Sequence, residues 1–322
     1  MPGPKTHEIF YKQLKALLPQ EMLAALPNYD AYALYGQGHD LLIYQGWWKL
    51  WQLDQHIQES LLLQENSFQE FVFQFLREAE KRNALSKEQI RLFIGPGYIS
   101  HHMLDSYLHP LIIYYSGDHV REKENATWKH GIIENLLDAY LMRHFEGIDY
   151  QTYPVYQDFF FPEAHLDLDL FQILTNTLYS VYGIVNGGRK FERALLQMKQ
   201  LIRTLKYDPS GLKRVFFNSL DFFAKGSASF SYHVQADDMK EYLNCDCQRW
   251  GNPKRPELTY SKSMLELYHE ALKASAEIIT KLDKLCAQEN ITRETVYSVV
   301  PNQSSTYALP CGKSNLKILR QR

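Results

Sequence analysis

The sequence predicts an all-α protein built from many helices. Apolar residues recur at helical spacing through most of the chain, Pro and Gly punctuate those runs, and no alternating strand pattern of any length occurs. The 322 residues suffice for one large domain or two small ones, and 45% apolar content supports a substantial core. The expected division is a helical core over 1–150, further helices packed on it as one continuous domain over 151–300, and a loosely ordered tail over 301–322.

The first helix spans 7–18 and stops at Pro19. A second spans 66–82, with Asn66 and Ser67 as cap candidates. Ser86 with Glu88 and Gln89 opens a short helix, and Gly95-Pro96-Gly97 reads as a break. The segment 98–109 is helical, and Pro110 should end or kink it. A polar loop over 116–125 leads to a helix over 126–145. After a Tyr-, Asp- and Pro-rich connection, helices are expected over 163–184, 188–206, 209–224, 256–288 and 292–299. Residues 226–254 read as irregular.

A net charge of −2 gives no general attraction to duplex nucleic acid or anionic lipid. The longest apolar run, around Leu111–Tyr115, is far too short to span a bilayer, although peripheral membrane contact stays open. MPGPKTHEIF has no apolar signal core, so a cytoplasmic location is expected. Cys245, Cys247, Cys286 and Cys311 do not make a disulfide framework. Cys245-x-Cys247 lacks the second thiol pair of a typical thiolate metal site.

Chemistry concentrates in YISHHMLDSYLHP, residues 98–110. His101, Asp105 and His109 stand at i, i+4 and i+8, on one slowly drifting helix face. His130, Glu134 and Asp138 repeat that spacing on the next helix, and antiparallel packing brings the two faces together. Imidazoles and carboxylates converging in this way suit a borderline divalent ion such as Zn²⁺. A lone His–Glu pair is often only a surface pair. Burying five such groups beside Leu104, Leu108, Ile133 and Leu137 without metal would cost several kcal/mol each. His7, His39-Asp40 and His56 are upstream candidates; in a helical segment either His39 or Asp40 faces the site, not both. His102 reads as a packing or supporting residue rather than a ligand, and Asp138 as either a partner for a ligating imidazole or an exposed acid.

The order His7, Gly38-His39-Asp40, His56, His101-x-x-x-Asp105, His109, His130-x-x-x-Glu134 resembles the zinc-dependent phospholipase C / P1 nuclease family. GYISHHMLDSYLHP is similar to that family's signature helix and HGIIENLLD to its second one. MPGPKTH, and Tyr242-Leu243-Asn244 with Trp250 and Pro253, resemble bacterial members. The similarity covers mainly 1–140 and more weakly 240–280.

The resemblance implies an orthogonal helical bundle with a C-terminal helical extension, and two or three zinc ions that hydrolyse phosphate esters. It implies one ion on Asp40, His56, His101 and Asp105, a second on His109, His130 and Glu134, and a third on His7 sharing Asp105. A metal-bridging hydroxide would attack phosphorus, with Asp40 orienting or deprotonating that water and Asp105 bridging metals. The substrate would be a small-molecule or lipid phosphoester. Secreted members use a mature N-terminal Trp at the third metal; here the amine of Pro2 would have to substitute. The Asp105–His109 spacing is shorter and the loop to His130 longer than in those enzymes.

Two other readings compete. An HD-domain phosphohydrolase would use His7, His39-Asp40 and Asp105, leaving His109 and His130/Glu134 unexplained. A non-catalytic helical protein would keep the metal for stability. Aromatic clusters at Trp47-Trp48-Trp51, Phe159–Phe161 and Phe216–Phe223 read mainly as core. Arg249, Lys254 and Arg255 read mainly as solvated charges.

Overall fold

The computed structural model describes residues 3–45, 53–117, 123–149, 166–205, 212, 236–288 and 291–311, without the side chains of 53–57, 123–128, 201–205 and 236–238. Helices dominate, as the apolar spacing predicts. The elements are α1 (Pro4–Leu14), α2 (Gln20–Ala24), a 3-10 segment (Tyr29–Tyr44), α3 (Leu53–Glu65), α4 (Phe68–Lys81), α5 (Glu88–Leu92), a π-helical turn (Phe93–Ile99) and α6 (Ser100–Ser116). They continue with α7 (Lys123–Leu141), α8 (Leu168–Tyr182), α9 (Gly187–Leu205), α10 (Met264–Ala287) and α11 (Arg293–Val299). Among the described residues the strands are β1 (Trp250–Gly251) and β2 (Thr259–Tyr260), paired antiparallel.

The centre of the fold is α6. Leu104, Leu108, Leu111 and Ile112 are fully buried, and so are His101, His102 and Asp105. Only Tyr107, Tyr114 and Tyr115 of α6 keep exposure, so it is an interior helix, wrapped by α1, α7, α10 and the 3-10 segment. Two expectations about its ends are corrected. Pro110 does not end it, because α6 runs on to Ser116. Proline inside a helix costs about 3 kcal/mol. Burying Leu108, Leu111, Ile112 and Ile113 contributes about 1.5–3 kcal/mol each, so packing outweighs the lost donor.

Gly95-Pro96-Gly97 does not break the chain either. It forms a π-helical turn joining α5 to α6, and Ser100 Oγ donates to the carbonyl of Pro96. Gly97 is required by close approach, since a Cβ there would stand 2.9 Å from Tyr35 Cβ and 3.0 Å from the Leu92 carbonyl.

Other elements shift at their ends. α10 begins at Met264 rather than 256, where Ser263 and Glu266 form a capping box. The small β1–β2 ladder occupies part of the preceding stretch, partly within what reads as helix. Ser67 precedes α4, in the left-handed region at φ 54°. Apart from Leu212, the expected 209–224 helix lies outside the described residues, as do Trp47, Trp48, Trp51, Phe159–Phe161 and Phe216–Phe223. Residues 301–311 of the expected loose tail instead pack inward, with Ser304 and Ser305 buried.

Candidate metal centre

His7 sits on the first turns of α1, and that turn is held from across the fold. Asp138 of α7 accepts from Lys5 N at 3.2 Å, Thr6 N at 2.7 Å and Thr6 Oγ1 at 2.7 Å. The two backbone amides are donors that a helix start leaves without an intrahelical acceptor, and the Thr6 hydroxyl adds a third bond. Asp138 is therefore neither a partner of a ligating imidazole nor an exposed acid. It is a buried cap supplied by another helix. Burial raises its pKa to about 6, opposed by the Thr6 and Lys5 donors. Gly3 makes room for it, because a Cβ there would fall 2.2 Å from Asp138 Oδ2.

Asp40 arrives from the 3-10 segment. Gly38 has φ +49°, and a Cβ there would lie 2.5 Å from His101 Cγ, so only glycine lets this backbone press against the imidazole. That turn breaks the helical alternation expected for His39 and Asp40. Both reach the site: the His39 ring meets the His101 ring edge-on at 4.4 Å, and His39 Nδ1 lies 3.0 Å from Asp40 Oδ1.

His7, Asp40, His101 and Asp105 form the first group, all buried, with one ligand atom from each mutually within 4.8 Å. His101 Nε2 lies 3.2 Å from Asp105 Oδ2 and 3.5 Å from Asp40 Oδ1. His7 Nε2 lies 3.3 Å from Asp105 Oδ1. His101 Nδ1 faces the Gly36 carbonyl at 3.0 Å. A carbonyl only accepts, so that nitrogen carries a proton and Nε2 is the atom turned inward.

The second group is His109, His130 and Glu134. His109 Nε2 is 3.7 Å from Glu134 Oε1, and His130 Nε2 is 2.6 Å from the same oxygen. His109 Nδ1 faces the Ser305 carbonyl at 2.9 Å, which again turns Nε2 inward. The first group is sealed from solvent, whereas the His130 and Glu134 side chains keep 15% and 14% exposure, so the second group lies nearer the surface.

The electrostatics explain why such a cluster calls for a cation. Burial penalises the charge on Asp40 and Asp105, yet the neighbouring imidazoles hold both well below the usual carboxylate range. Burial opposes a charge on His101 too, but Asp105 and Asp40 raise its pKa to about 10. His7, desolvated and beside charged His101, is lowered to about 4. Desolvation likewise lowers His109 to about 3. Two buried carboxylates are thus balanced by a single imidazolium.

His7 Nε2, His101 Nε2, His109 Nε2 and both oxygens of Asp105 are buried without a hydrogen-bond partner. Unpaired buried polar atoms are costly, and this many facing one another is the donor set of a divalent ion. A divalent ion would also neutralise the carboxylates fully. The residues present therefore fit a metal.

His7 falls beside Asp105, the carboxylate it was expected to share, and the described residues offer two groups, with His7 in the first. The side chain of His56 and all of Pro2 lie outside the described residues. His102 packs as expected: its ring stacks on Phe68 at 3.5 Å, and its Nε2 faces the Gln303 carbonyl at 2.8 Å.

Sequence reasoning missed Gln64, which donates from Nε2 to Asp40 Oδ1 at 3.3 Å. Its signal was present: His56, Ser60 and Gln64 repeat the i, i+4, i+8 spacing of the central helix. The carbonyls of Gly36, Gln303 and Ser305 leave no sequence signal. Arg255 pairs with Glu257 at 2.6 Å, and Lys254 lies 3.7 Å over the Tyr307 ring, so both are engaged locally.

Comparison of the chain with protein-family models, with curated proteins and with solved structures finds no match.

Proposed function

We propose that the chain is a zinc-dependent hydrolase of phosphate esters, of the phospholipase C / P1 nuclease type. The observation that carries this reading is the pair of neighbouring imidazole–carboxylate groups along α6 and α7, one fully buried and one nearer the surface. His7, Asp40, His101 and Asp105 would hold one ion, and His109, His130 and Glu134 another. Nitrogen and carboxylate donors suit zinc. Bound there, paired ions supply charge neutralisation at phosphoryl oxygens and acidify water.

The chain's own residues perform the rest. Asp105 faces His7 with one oxygen and His101 with the other. Asp40, held by His39 Nδ1 and Gln64 Nε2, would orient or deprotonate the attacking water as well as hold an ion. His130 and Glu134, nearer the surface, mark the side from which a phosphoester reaches the centre. No helix among the described residues is long and apolar enough to cross a membrane. A soluble phosphoester in the cytoplasm, or a lipid headgroup met at a membrane face, are the substrate classes this reading admits.

The HD-domain reading rests on His39 touching His101. It ranks second because Asp40 rather than His39 completes the first group, and because it gives His109, His130 and Glu134 no task. The test is a screen of phosphomonoesters, phosphodiesters and phospholipids with metal-loaded protein. Hydrolysis lost in His130→Ala supports the proposed reading. Metal without hydrolysis of any of the three classes supports a non-catalytic binding protein.

A further inference from the structure

The segment after α11 reaches both metal groups through one residue of α3. The Ser305 carbonyl receives His109 Nδ1 at 2.9 Å. The backbone N of the same Ser305 donates to the Gln64 carbonyl at 2.9 Å, and its Oγ does so at 3.4 Å. Thr306 Oγ1 donates to Gln64 Oε1 at 3.5 Å. Gln64 Nε2 then donates to Asp40 Oδ1. The path Asp40–Gln64–Ser305–His109 therefore runs from the first group to the second through hydrogen bonds joined by the covalent frames of Gln64 and Ser305.

The segment is itself fixed. Ser304 N donates to the Leu309 carbonyl at 2.7 Å, closing a turn, and Asn252 Nδ2 donates to the Tyr307 carbonyl at 2.8 Å. Gln303 Nε2 donates to Ser106 Oγ at 2.7 Å, tying the same stretch to α6. Apolar packing alone would not explain two carbonyls, those of Gln303 and Ser305, each meeting a histidine of α6 two turns apart.

We infer that Gln64 and residues 303–306 are positioning residues that set Asp40 and His109 together, so that the two metal groups are coupled through Gln64. This inference rests on the metal reading above. Its physical basis is that partners behind a ligand fix its tautomer and orientation, and their loss typically lowers metal affinity about 10–100-fold. The link also explains why a chain end remote in sequence is buried against the centre.

The experiment uses full-length Gln64→Leu, similar in volume but unable to hydrogen-bond from its side chain, and Thr306→Val, which removes only the outer contact. Stepwise zinc affinities are measured by competition with a chromophoric chelator, and Co²⁺ loading reports ligand geometry through its visible absorption. Gln64→Leu removes the side-chain bonds to Asp40 and Thr306 and leaves the Ser305 bond to the residue-64 carbonyl, so it should weaken the first-group affinity about tenfold or more, weaken the second in the same direction by a smaller factor, and change the Co²⁺ spectrum. Thr306→Val should weaken them in the same direction by about threefold, the size of one modest hydrogen bond; it carries the test should Gln64→Leu not fold. A lower melting temperature with unchanged affinities and spectrum in both variants would overturn the inference and leave the metal reading intact. So would weakening confined to one ion. A wild-type chain that takes up neither zinc nor Co²⁺ would overturn the metal reading itself.

Discussion

The imidazoles of His7 and His101 stack with centroids 4.0 Å apart, and each faces a different oxygen of Asp105. Asp105 and Asp40 raise His101 to about 10 against its burial, while burial and then the charged His101 lower His7 to about 4. Asp105→Asn removes the charge that both rings share. Zinc affinity at the first group should fall by more than about a hundredfold, beyond the usual loss for a residue that only supports a ligand. Chelator competition checks this, and near-wild-type affinity would contradict it.

Metal and proton compete for His101. With its pKa raised to about 10, the ion-free imidazole is protonated at pH 7 and must lose that proton to ligate. Zinc affinity should therefore rise with pH by about tenfold per unit toward pH 10. Calorimetry in buffers of different ionisation enthalpy should show net proton release at pH 7. Proton uptake, or no exchange, would contradict the assignment.

The ion-free protein should weaken in acid. His7 and His109 titrate at about 4 and 3 when folded but near 6.5 when unfolded, so the unfolded chain binds more protons between those values. Their contribution is present above pH 6.5 and is lost as pH falls through that window. Asp138, raised to about 6, acts oppositely between its unfolded value and 6, one carboxyl against two imidazoles. His101 adds stability below 6.5 that fades as pH rises toward 10. Melting temperature against pH, with chelator present, should pass through a maximum near neutrality. A monotonic rise on acidification from pH 6.5 to 4 would contradict it.

Asp138 should matter through α1 rather than through metal contact. Asp138→Ala strips the acceptor from Lys5 N, Thr6 N and Thr6 Oγ1, and should cost about 1–2 kcal/mol, as loss of a cap does. Asp138→Asn keeps an acceptor oxygen and should cost less. Denaturant unfolding of both variants orders them, and equal losses would argue for a role in charge instead.

Much of the centre was legible because α6 is regular: His101, Asp105 and His109 at successive i+4 steps need only helical geometry to share a face. The upstream residues were harder. That both His39 and Asp40 approach depends on the positive φ of Gly38, a tertiary fit against His101 that no periodicity encodes. Gly95-Pro96-Gly97 read as a break and Pro110 as an end or a kink because local propensity says so, and burial carried the helix past both. The 301–311 segment read as a loose end because its attachments are backbone carbonyls to His102 and His109, which carry no residue signature.

Metal content per chain tests the central claim most directly. Protein purified without chelator and analysed by elemental mass spectrometry should carry at least two equivalents of zinc or a related transition metal, and His109→Ala should lose one of them. A folded wild-type chain free of any such metal, and unable to take it up on addition, would contradict the account.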